Sequence, residues 1–238
     1  MRLIITRPEP SAGKTAEKLV RLGHEVAVSP LMEIVDTGAD MPGGEFAAML
    51  VTSISALRVL AARGLDEALL KRPLYAVGDA TAGKAASLGF KCIKSASGTA
   101  GDLASLVLSD RKNGDLAQGP VLYACGIDTT PGLVETLHSS RVEVKSFTVY
   151  KANLVDQLTK KSTEWLRDSD PVGIMVYSAR SAGQFSTVFS SIDRFQATDN
   201  ITVYAISSKV AAALSPALQR CCKTAVSPDE PALIALIA

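Results

Sequence analysis

The chain contains three sequence segments twice, in the same order, and this repetition limits how it can fold. Each copy contains a strand-like run followed by small polar residues and an alanine- or leucine-rich stretch. The matching pairs are Leu50–Ala56 with Met175–Ala182, Tyr75–Gly78 with Tyr204–Ser207, and Ser97–Leu103 with Ser227–Leu233. A repeated strand–helix order predicts two similar domains of the α/β class.

A fourth matching unit breaks this order. Glu17–Val26 resembles Glu135–Val144, but the first copy stands at the amino terminus and the second comes last in its set. Circular permutation of one domain explains the difference. Two chain crossings would then join the domains, and domain junctions are common places for ligand clefts. The expected bounds are 1–33 plus 152–238 for a discontinuous first domain, 36–148 for an inserted second domain, and 30–35 and 149–153 for the linkers.

Strand candidates alternate with helical stretches such as Ala12–Leu22. Several are continuous apolar runs, which are typical of strands buried on both faces of a parallel sheet. The fold class predicted is therefore α/β, with two similar parallel-sheet domains, one discontinuous, joined by a two-stranded linker. The predicted strands are Leu3–Thr6, Glu25–Val28, Ala48–Thr52, Leu74–Val77, Lys91–Lys94, Val121–Ala124, Glu143–Tyr150, Gly173–Tyr177, Thr202–Ile206 and Thr224–Val226.

Composition excludes several functions. The chain has 25 Lys plus Arg against 24 Asp plus Glu, a net charge of +1, so we expect no nucleic-acid partner. It has no run of 18 apolar residues and only a short apolar run near Met1, so we expect no membrane partner and a cytoplasmic location. Four cysteines without CxxC spacing and two histidines argue against a metal site and a Ser-His-Asp triad.

Two segments imitate a phosphate-binding P-loop. Gly78–Lys84 fits the GxxxxGK pattern, but Ala85 stands where a magnesium-binding hydroxyl is required. Gly13-Lys14-Thr15 has the hydroxyl, but Pro8 occupies the position of the first glycine. Because neither motif is complete, the sequence does not predict a nucleotide triphosphatase.

Small polar residues recur where predicted strands end and helices begin. Such positions offer free backbone N–H groups, hydroxyls and the positive end of a helix dipole, so together they predict an anion-binding site. The alternative for each one is an ordinary helix N-cap. The candidates are Thr6, Thr52, Ser53, Gly78, Thr81, Ser97, Gly98, Thr99, Ser178, Ser207 and Ser208.

Cations occur in the same loops. Arg7 and Arg180 lie within three residues of a strand end, and Lys209 follows the two serines of the last loop. A guanidinium binds a carboxylate through two parallel hydrogen bonds, which suits a polycarboxylate ligand. The alternative for each of these cations is an ordinary solvated surface charge. Tyr150 ends a strand where the chain should cross between domains. It is either a buried core tyrosine or a phenol that donates to a ligand.

These residues also carry a family resemblance. The chain resembles the uroporphyrinogen-III synthase family over essentially its whole length. The matching residues are Thr6-Arg7-Pro8, Val51-Thr52-Ser53, Ala76-Val77-Gly78 with Thr81-Ala82, Ser97–Leu103, Gly126, Thr148-Val149-Tyr150, Tyr177-Ser178 and Tyr204-Ala205-Ile206. The resemblance implies two α/β domains on a two-stranded linker, with substrate between them.

The same resemblance implies a function. The expected reaction converts hydroxymethylbilane, a linear tetrapyrrole polycarboxylate, to uroporphyrinogen III with loss of water and inversion of the terminal ring. It requires no cofactor and no metal, and we expect a monomer. Tyr150 matches the linker tyrosine thought to assist departure of the hydroxyl, and Gly126 is carried over as a binding residue. Ser207-Ser208-Lys209 replaces a Gly-x-Thr pattern, so binding there would use these side chains.

Two other classes of protein remain open at this point. One is a non-catalytic two-domain binding or sensor protein that closes on an anionic metabolite. The other is a sugar-nucleotide enzyme of similar architecture, which would need an acidic residue after a strand. Turnover of the ligand would distinguish an enzyme from a sensor.

Overall fold

The computed structural model describes residues 1–129, 131–192 and 200–237. They form two compact units, which we call unit 1 (Met1–Glu33 with Asn153–Ala238) and unit 2 (Ile34–Ala152). The α/β fold class predicted from the alternation is confirmed, since each unit has a sheet of mainly parallel strands with helices between them. Within the described residues, no helix has both the length and the apolar character needed to span a bilayer.

The strands and helices alternate along nearly the whole chain. The strands are β1 Arg2–Ile5, β2 Glu25–Val28, β3 Met32–Asp36, β4 Ala48–Val51, β5 Leu74–Ala76, β6 Ile93–Ser95, β7 Val121–Gly126, β8 Val144–Leu154, β9 Val172–Val176, β10 Ile201–Ala205 and β11 Cys222–Thr224. The helices are α1 Ser11–Arg21, α2 Ile54–Arg63, α3 Glu67–Lys71, α4 Asp79–Ser87, α5 Ala100–Asn113, α6 Leu133–Ser139, α7 Lys160–Arg167, α8 Ala179–Ser190, α9 Ser208–Ala211, α10 Pro216–Arg220 and α11 Glu230–Ala235.

Unit 1 is built on a parallel sheet with strand order β11-β10-β9-β1-β2. The central strands β1 and β9 are buried on both faces, which explains why they are continuous apolar runs. One face packs on a core that includes Ile4, Ile174 and Phe185, and the other on a core that includes Leu3 and Met175. Because the strands of this sheet are parallel, their carboxyl ends meet at one edge.

Unit 2 has strand order β3-β8-β7-β4-β5-β6, and the pairs from β8 through β6 are parallel. Its two faces also bury separate apolar clusters, one around Phe147 and Leu57 and the other around Leu50 and Val107. The register puts the ends of β4, β5, β6 and β7 along one edge. This edge positions most of the candidate residues of unit 2.

The strand β3 is absent from the predicted strands, although the predicted fold includes a two-stranded linker. Residues 30–35 are predicted as linker, and the structure places Met32–Asp36 in a strand beside β8, whose range extends four residues beyond the predicted end. The unit boundaries fall within these two strands. No residue of β3 is fully buried, and Glu33 and Asp36 are exposed, so its sequence lacks the apolar run that marks the central strands.

Two short edge strands are shifted from their predicted bounds. The strand β6 begins at Ile93 rather than Lys91, and β11 spans Cys222–Thr224 rather than Thr224–Val226. Pairing with β10 fixes the register of β11 at Cys222. Val226 is 96% exposed, so an apolar residue was mistaken for part of the buried strand.

A buried polar network ties α5 to the sheet of unit 2. The hydroxyl of Tyr75, a fully buried residue, donates to Asp110 Oδ2 at 2.7 Å, and Lys94 Nζ donates to the same oxygen at 2.5 Å. Burial alone would raise the pKa of Asp110, but the hydrogen bonds from Lys94 and Tyr75 lower that pKa below its ordinary value. The ionised carboxylate is therefore the form that stabilises the fold.

We expect Asp110→Asn to lower the free energy of unfolding at pH 7 by about 1–3 kcal/mol, because the charged acceptor is lost. Since the native pKa of Asp110 lies below the unfolded value, its contribution is present above about pH 4 and disappears as the pH falls through the native value. Urea unfolding at several pH values should show the wild type and variant converging in acid. Glu135→Gln, at an exposed carboxylate of α6, is the control. A difference that persists undiminished in acid would contradict this role for the charge.

Candidate active site

The site in unit 2 begins where β4 ends. The Thr52 hydroxyl lies 3.0 Å from the hydroxyl of Tyr123, and Thr52 remains partly exposed. Ser53 is the N-cap of α2, where its Oγ accepts a hydrogen bond from Ser55 N at 3.1 Å. Both candidates are thus at the strand edge, as predicted. Their side chains have different partners. The hydroxyl of Ser53 bonds a backbone N–H of α2, and the hydroxyl of Thr52 bonds the phenol of Tyr123.

The next two loops approach each other closely. A Cβ atom on Gly78 would lie 3.5 Å from Gly98 Cα, and Gly98 has φ +114°, which a side chain rarely tolerates. Thr99 caps α5 reciprocally with Asp102, and Ser97 is exposed beside it. Small residues therefore let the starts of α4 and α5 come together. The first-turn N–H groups of these helices that donate to no cap oxygen suit an anion.

Thr81 lies in the first turn of α4 and is only 6% exposed. Its backbone N–H donates to Gly78 O at 3.0 Å, as expected in the first turn of a helix. The structure thus places Thr81 in the helix that Gly78 caps, but largely beneath the surface. Its small exposed fraction limits direct contact with a ligand.

Tyr150 and Gly126 form a single feature. They lie on neighbouring strands, with Tyr150 beside Gly126 at a register shift between β7 and β8. A Cβ atom on Gly126 would lie 2.7 Å from Tyr150 Cζ and 3.1 Å from its hydroxyl oxygen. The tyrosine ring therefore rests directly on the glycine backbone. Gly126 was expected to bind substrate, but its evident role in the structure is to leave room for this ring.

In unit 1, Thr6 lies deeper than expected. It is fully buried, and its Oγ1 donates to Met175 O at 2.7 Å. Thr6 directly follows Ile5, the last residue of β1 that pairs with β9, so this bond joins the ends of the two strands. The expected ligand-binding role of Thr6 does not agree with this burial, which gives the hydroxyl a structural role.

The serines of unit 1 are helix caps. Ser178 Oγ accepts from Ser181 N at 3.1 Å at the start of α8, and Ser207 Oγ accepts from Val210 N at 3.4 Å at the start of α9. The simpler alternative, an ordinary N-cap, thus describes these side chains as well as Ser53 and Thr99. The first turns of these helices also contain Arg180, Ser208 and Lys209, and all three are exposed.

Arg7 is engaged within its own unit. Its guanidinium lies 4.5 Å from the centre of the Tyr177 ring, and its Nη1 is 3.5 Å from Glu230 Oε1. Glu230 also accepts from Thr15 and Lys18. Arg7 therefore already contacts a protein carboxylate, and its expected contact with a ligand carboxylate stays a prediction.

Charge and burial explain the protonation states in this cluster. Burial alone would raise the pKa of Glu230, but hydrogen bonds from Lys18 and Thr15 bring it below its ordinary value. Burial raises the pKa of Tyr177 to about 12. Sequence reasoning missed Glu230, although it lies inside the repeated segment Ser227–Leu233, where its counterpart is the uncharged Ala100.

Other chemistry is sparse around these edges. Cys125 is buried in β7, and burial raises the pKa of its thiol, which suits a packed residue rather than a nucleophile. Across the described ranges, no three His, Cys, Asp or Glu side chains lie together in a way that could hold a metal ion. The two edges thus offer hydroxyls, backbone N–H groups and one tyrosine phenol, which fits hydrogen bonding to an anionic ligand.

Comparison with solved structures defines the class of protein. The chain aligns over its full length with 98% of uroporphyrinogen-III synthetase from Helicobacter pylori, at 19% identity and a TM-score of 0.62. A mutant uroporphyrinogen III synthase from Thermus thermophilus aligns with 90% of the chain and 87% of its own, at 18% identity and a TM-score of 0.47. Among curated proteins, no sequence matches significantly. The first likeness establishes a two-domain α/β fold of the synthase type.

The family follows from the sequence itself. The HEM4 family model, described as uroporphyrinogen-III synthase HemD, matches residues 13–235. The chain belongs to the uroporphyrinogen-III synthase family, as the resemblance predicted. It is therefore an enzyme of porphyrin and haem biosynthesis. These comparisons give no support to the alternative of a non-catalytic sensor.

The contact between Gly126 and Tyr150 leads to a specific prediction. In Gly126→Ala the added methyl group must displace the Tyr150 ring, so we expect synthase activity to fall about 10- to 100-fold while the fold persists. Circular dichroism and thermal unfolding should show a folded protein. Activity measured at saturating substrate checks the loss.

A double-mutant cycle shows whether Gly126 acts through Tyr150. In a Tyr150→Ala background there is no ring to displace, so Gly126→Ala should have little further effect. Independent, multiplying losses would instead mean that Gly126 meets the substrate itself, as the family resemblance implied.

Proposed function

We propose that Tyr150 assists loss of the substrate hydroxyl and that the strand-edge loops of both units hold the substrate carboxylates. The observation that carries the proposal is the state of the Tyr150 phenol. Its ring is fixed against Gly126, the residue is partly exposed, and none of the described groups hydrogen-bonds its hydroxyl. A held phenol with an unused donor is suited to a leaving hydroxyl.

The proposed reaction starts when the Tyr150 O–H donates to the terminal hydroxyl of hydroxymethylbilane, which departs as water. The pyrrole electrons that expel it leave an azafulvene, and the pyrrole N–H proton lost in this step restores the Tyr150 phenol. The substituted carbon of the last ring then attacks this centre, giving a spiro intermediate that fragments and recloses with that ring inverted. Direct closure without inversion gives the other isomer, so the protein's main task is to hold the two ends in the productive geometry.

Carboxylate binding is proposed for the exposed or partly exposed part of the predicted set. The first-turn backbone N–H groups of α4, α5 and α8 that donate to no cap oxygen can donate to an anion, and helix dipoles favour an anion there. Lys209 and Arg180 add exposed positive charge in unit 1. The members proposed to contact substrate are Arg7, Thr52, Ser53, Gly78, Ser97, Gly98, Thr99, Ser178, Arg180, Ser207, Ser208 and Lys209.

The rest of the proposal concerns the domains, the oligomeric state, the cellular location and the cofactor. We propose that units 1 and 2 are the two functional domains and that the enzyme acts as a cytoplasmic monomer without a cofactor or nucleic acid. The net charge of +1 supports the last point, because bulk attraction to nucleic acid needs a basic surface. Sedimentation of the protein at assay concentration tests the monomer.

We expect Tyr150→Phe to lose about 10- to 1000-fold in rate, because one proton or hydrogen-bond donor is removed. The assay supplies hydroxymethylbilane generated in situ, oxidises the products and separates the uroporphyrin isomers by chromatography. Wild type should give mainly isomer III, and the variant a larger share of isomer I.

Tyr204→Phe is the control, since that phenol belongs to a buried residue in the core of unit 1. It should leave the isomer ratio unchanged. Isomer III at the wild-type rate from Tyr150→Phe would remove Tyr150 from the mechanism. Isomer I alone from the wild type, at the spontaneous rate, would overturn the proposed function and favour a binding protein.

A further inference from the structure

Two buried tyrosines flank Leu50 at the same level of the unit 2 sheet. In the strand register Leu50 pairs with Tyr75 on β5 and with Tyr123 on β7. All three side chains belong to the same apolar cluster, and both tyrosines are fully buried. The surroundings of the two rings are therefore closely matched.

The two phenols have different partners. The Tyr75 hydroxyl donates to Asp110 on α5, away from the strand ends. The Tyr123 hydroxyl instead extends along its strand to Thr52, the first residue after β4, at 3.0 Å. Thr52 is two residues beyond Leu50, so it stands on the same face and nearer the carboxyl edge. One tyrosine thus supports a helix and the other supports a candidate binding residue.

The direction of the Tyr123–Thr52 bond follows from burial. Among the described groups, Thr52 Oγ1 is the partner that the structure gives to the Tyr123 hydroxyl. A buried hydroxyl hydrogen without an acceptor costs free energy, and a phenol is a stronger donor than an aliphatic alcohol. The phenol therefore donates, and Thr52 accepts.

This direction fixes what Thr52 can offer to a ligand. A hydroxyl that accepts from one side retains its own hydrogen to donate, and an ionised carboxylate only accepts. Donation from Tyr123 also polarises the Thr52 O–H, since hydrogen bonds in a chain strengthen one another. Thr52 is a partly exposed residue, and its hydroxyl is then held with its own hydrogen left to donate to an anion.

We propose that Tyr123 is a positioning residue that orients the Thr52 hydroxyl as a donor to a carboxylate of the substrate. This inference rests on the proposed function, in which Thr52 contacts substrate. Tyr123 itself is fully buried and does not touch the ligand. Its effect should therefore fall on substrate binding and not on the chemical step.

Tyr123→Phe tests the proposal by steady-state kinetics of isomer III formation. We expect KM to rise about three- to tenfold, as for loss of one modest hydrogen bond, with kcat changed less than about twofold. Tyr75→Phe is the matched control, because it also removes one buried phenol oxygen at the same sheet level. It should lower thermal stability and leave KM unchanged.

A coupling measurement separates positioning from general destabilisation. In Thr52→Val the hydroxyl is absent, so adding Tyr123→Phe should not raise KM further, whereas in Thr52→Ser it should. Equal KM changes in Tyr123→Phe and Tyr75→Phe, or an undiminished effect of Tyr123→Phe in the Thr52→Val background, would overturn the inference. An unchanged KM for Tyr123→Phe would do the same.

The wild-type product distinguishes this inference from the proposed function. If wild type makes no isomer III, the proposed function fails before Tyr123 is tested. If wild type makes isomer III and Tyr123→Phe binds substrate normally, the proposed function stands and the role of Tyr123 falls.

Discussion

Parallel hydrogen bonding between neighbouring strands is the constraint on which the arrangement of the candidate site depends. In a parallel sheet every strand points the same way, so each connection to the following helix leaves from the same edge. In unit 2 this brings the loops after β4, β5, β6 and β7 to one edge, and in unit 1 those after β1, β9 and β10. Residues far apart in sequence become neighbours for that reason alone.

Local interactions then decide which of these edge residues are available to a ligand. Several hydroxyls are used to start helices, and Thr6 is buried as a bridge between two strands. Arg7 is already paired with Glu230. Backbone N–H groups, Thr52 and the exposed cations are therefore more available to a ligand than the capping hydroxyls and Arg7. Such a surface suits a flexible polycarboxylate, because many modest donors can share its charge.

The predictions from sequence succeeded where a local pattern has a single structural meaning. The buried apolar runs of β4 and β9 gave correct central strands within one residue, because strands covered on both faces need apolar residues throughout. The same reasoning failed for β3 and β11, which are short or half-exposed. The contact of Arg7 with Glu230 was missed for a different reason, since Glu230 follows Arg7 by more than two hundred residues.

The sequence by itself determined the α/β class, the permuted repeat, the family and the set of residues at the strand ends, because each depends on periodicity or on motifs within a few residues. Only the tertiary structure decided how those residues are used. The ring of Tyr150 against Gly126, the phenol of Tyr123 on Thr52 and the carboxylate of Glu230 on Arg7 all join separate strands or helices. Such contacts depend on register and packing, which bring together side chains whose separation in the sequence carries no sign of their partnership.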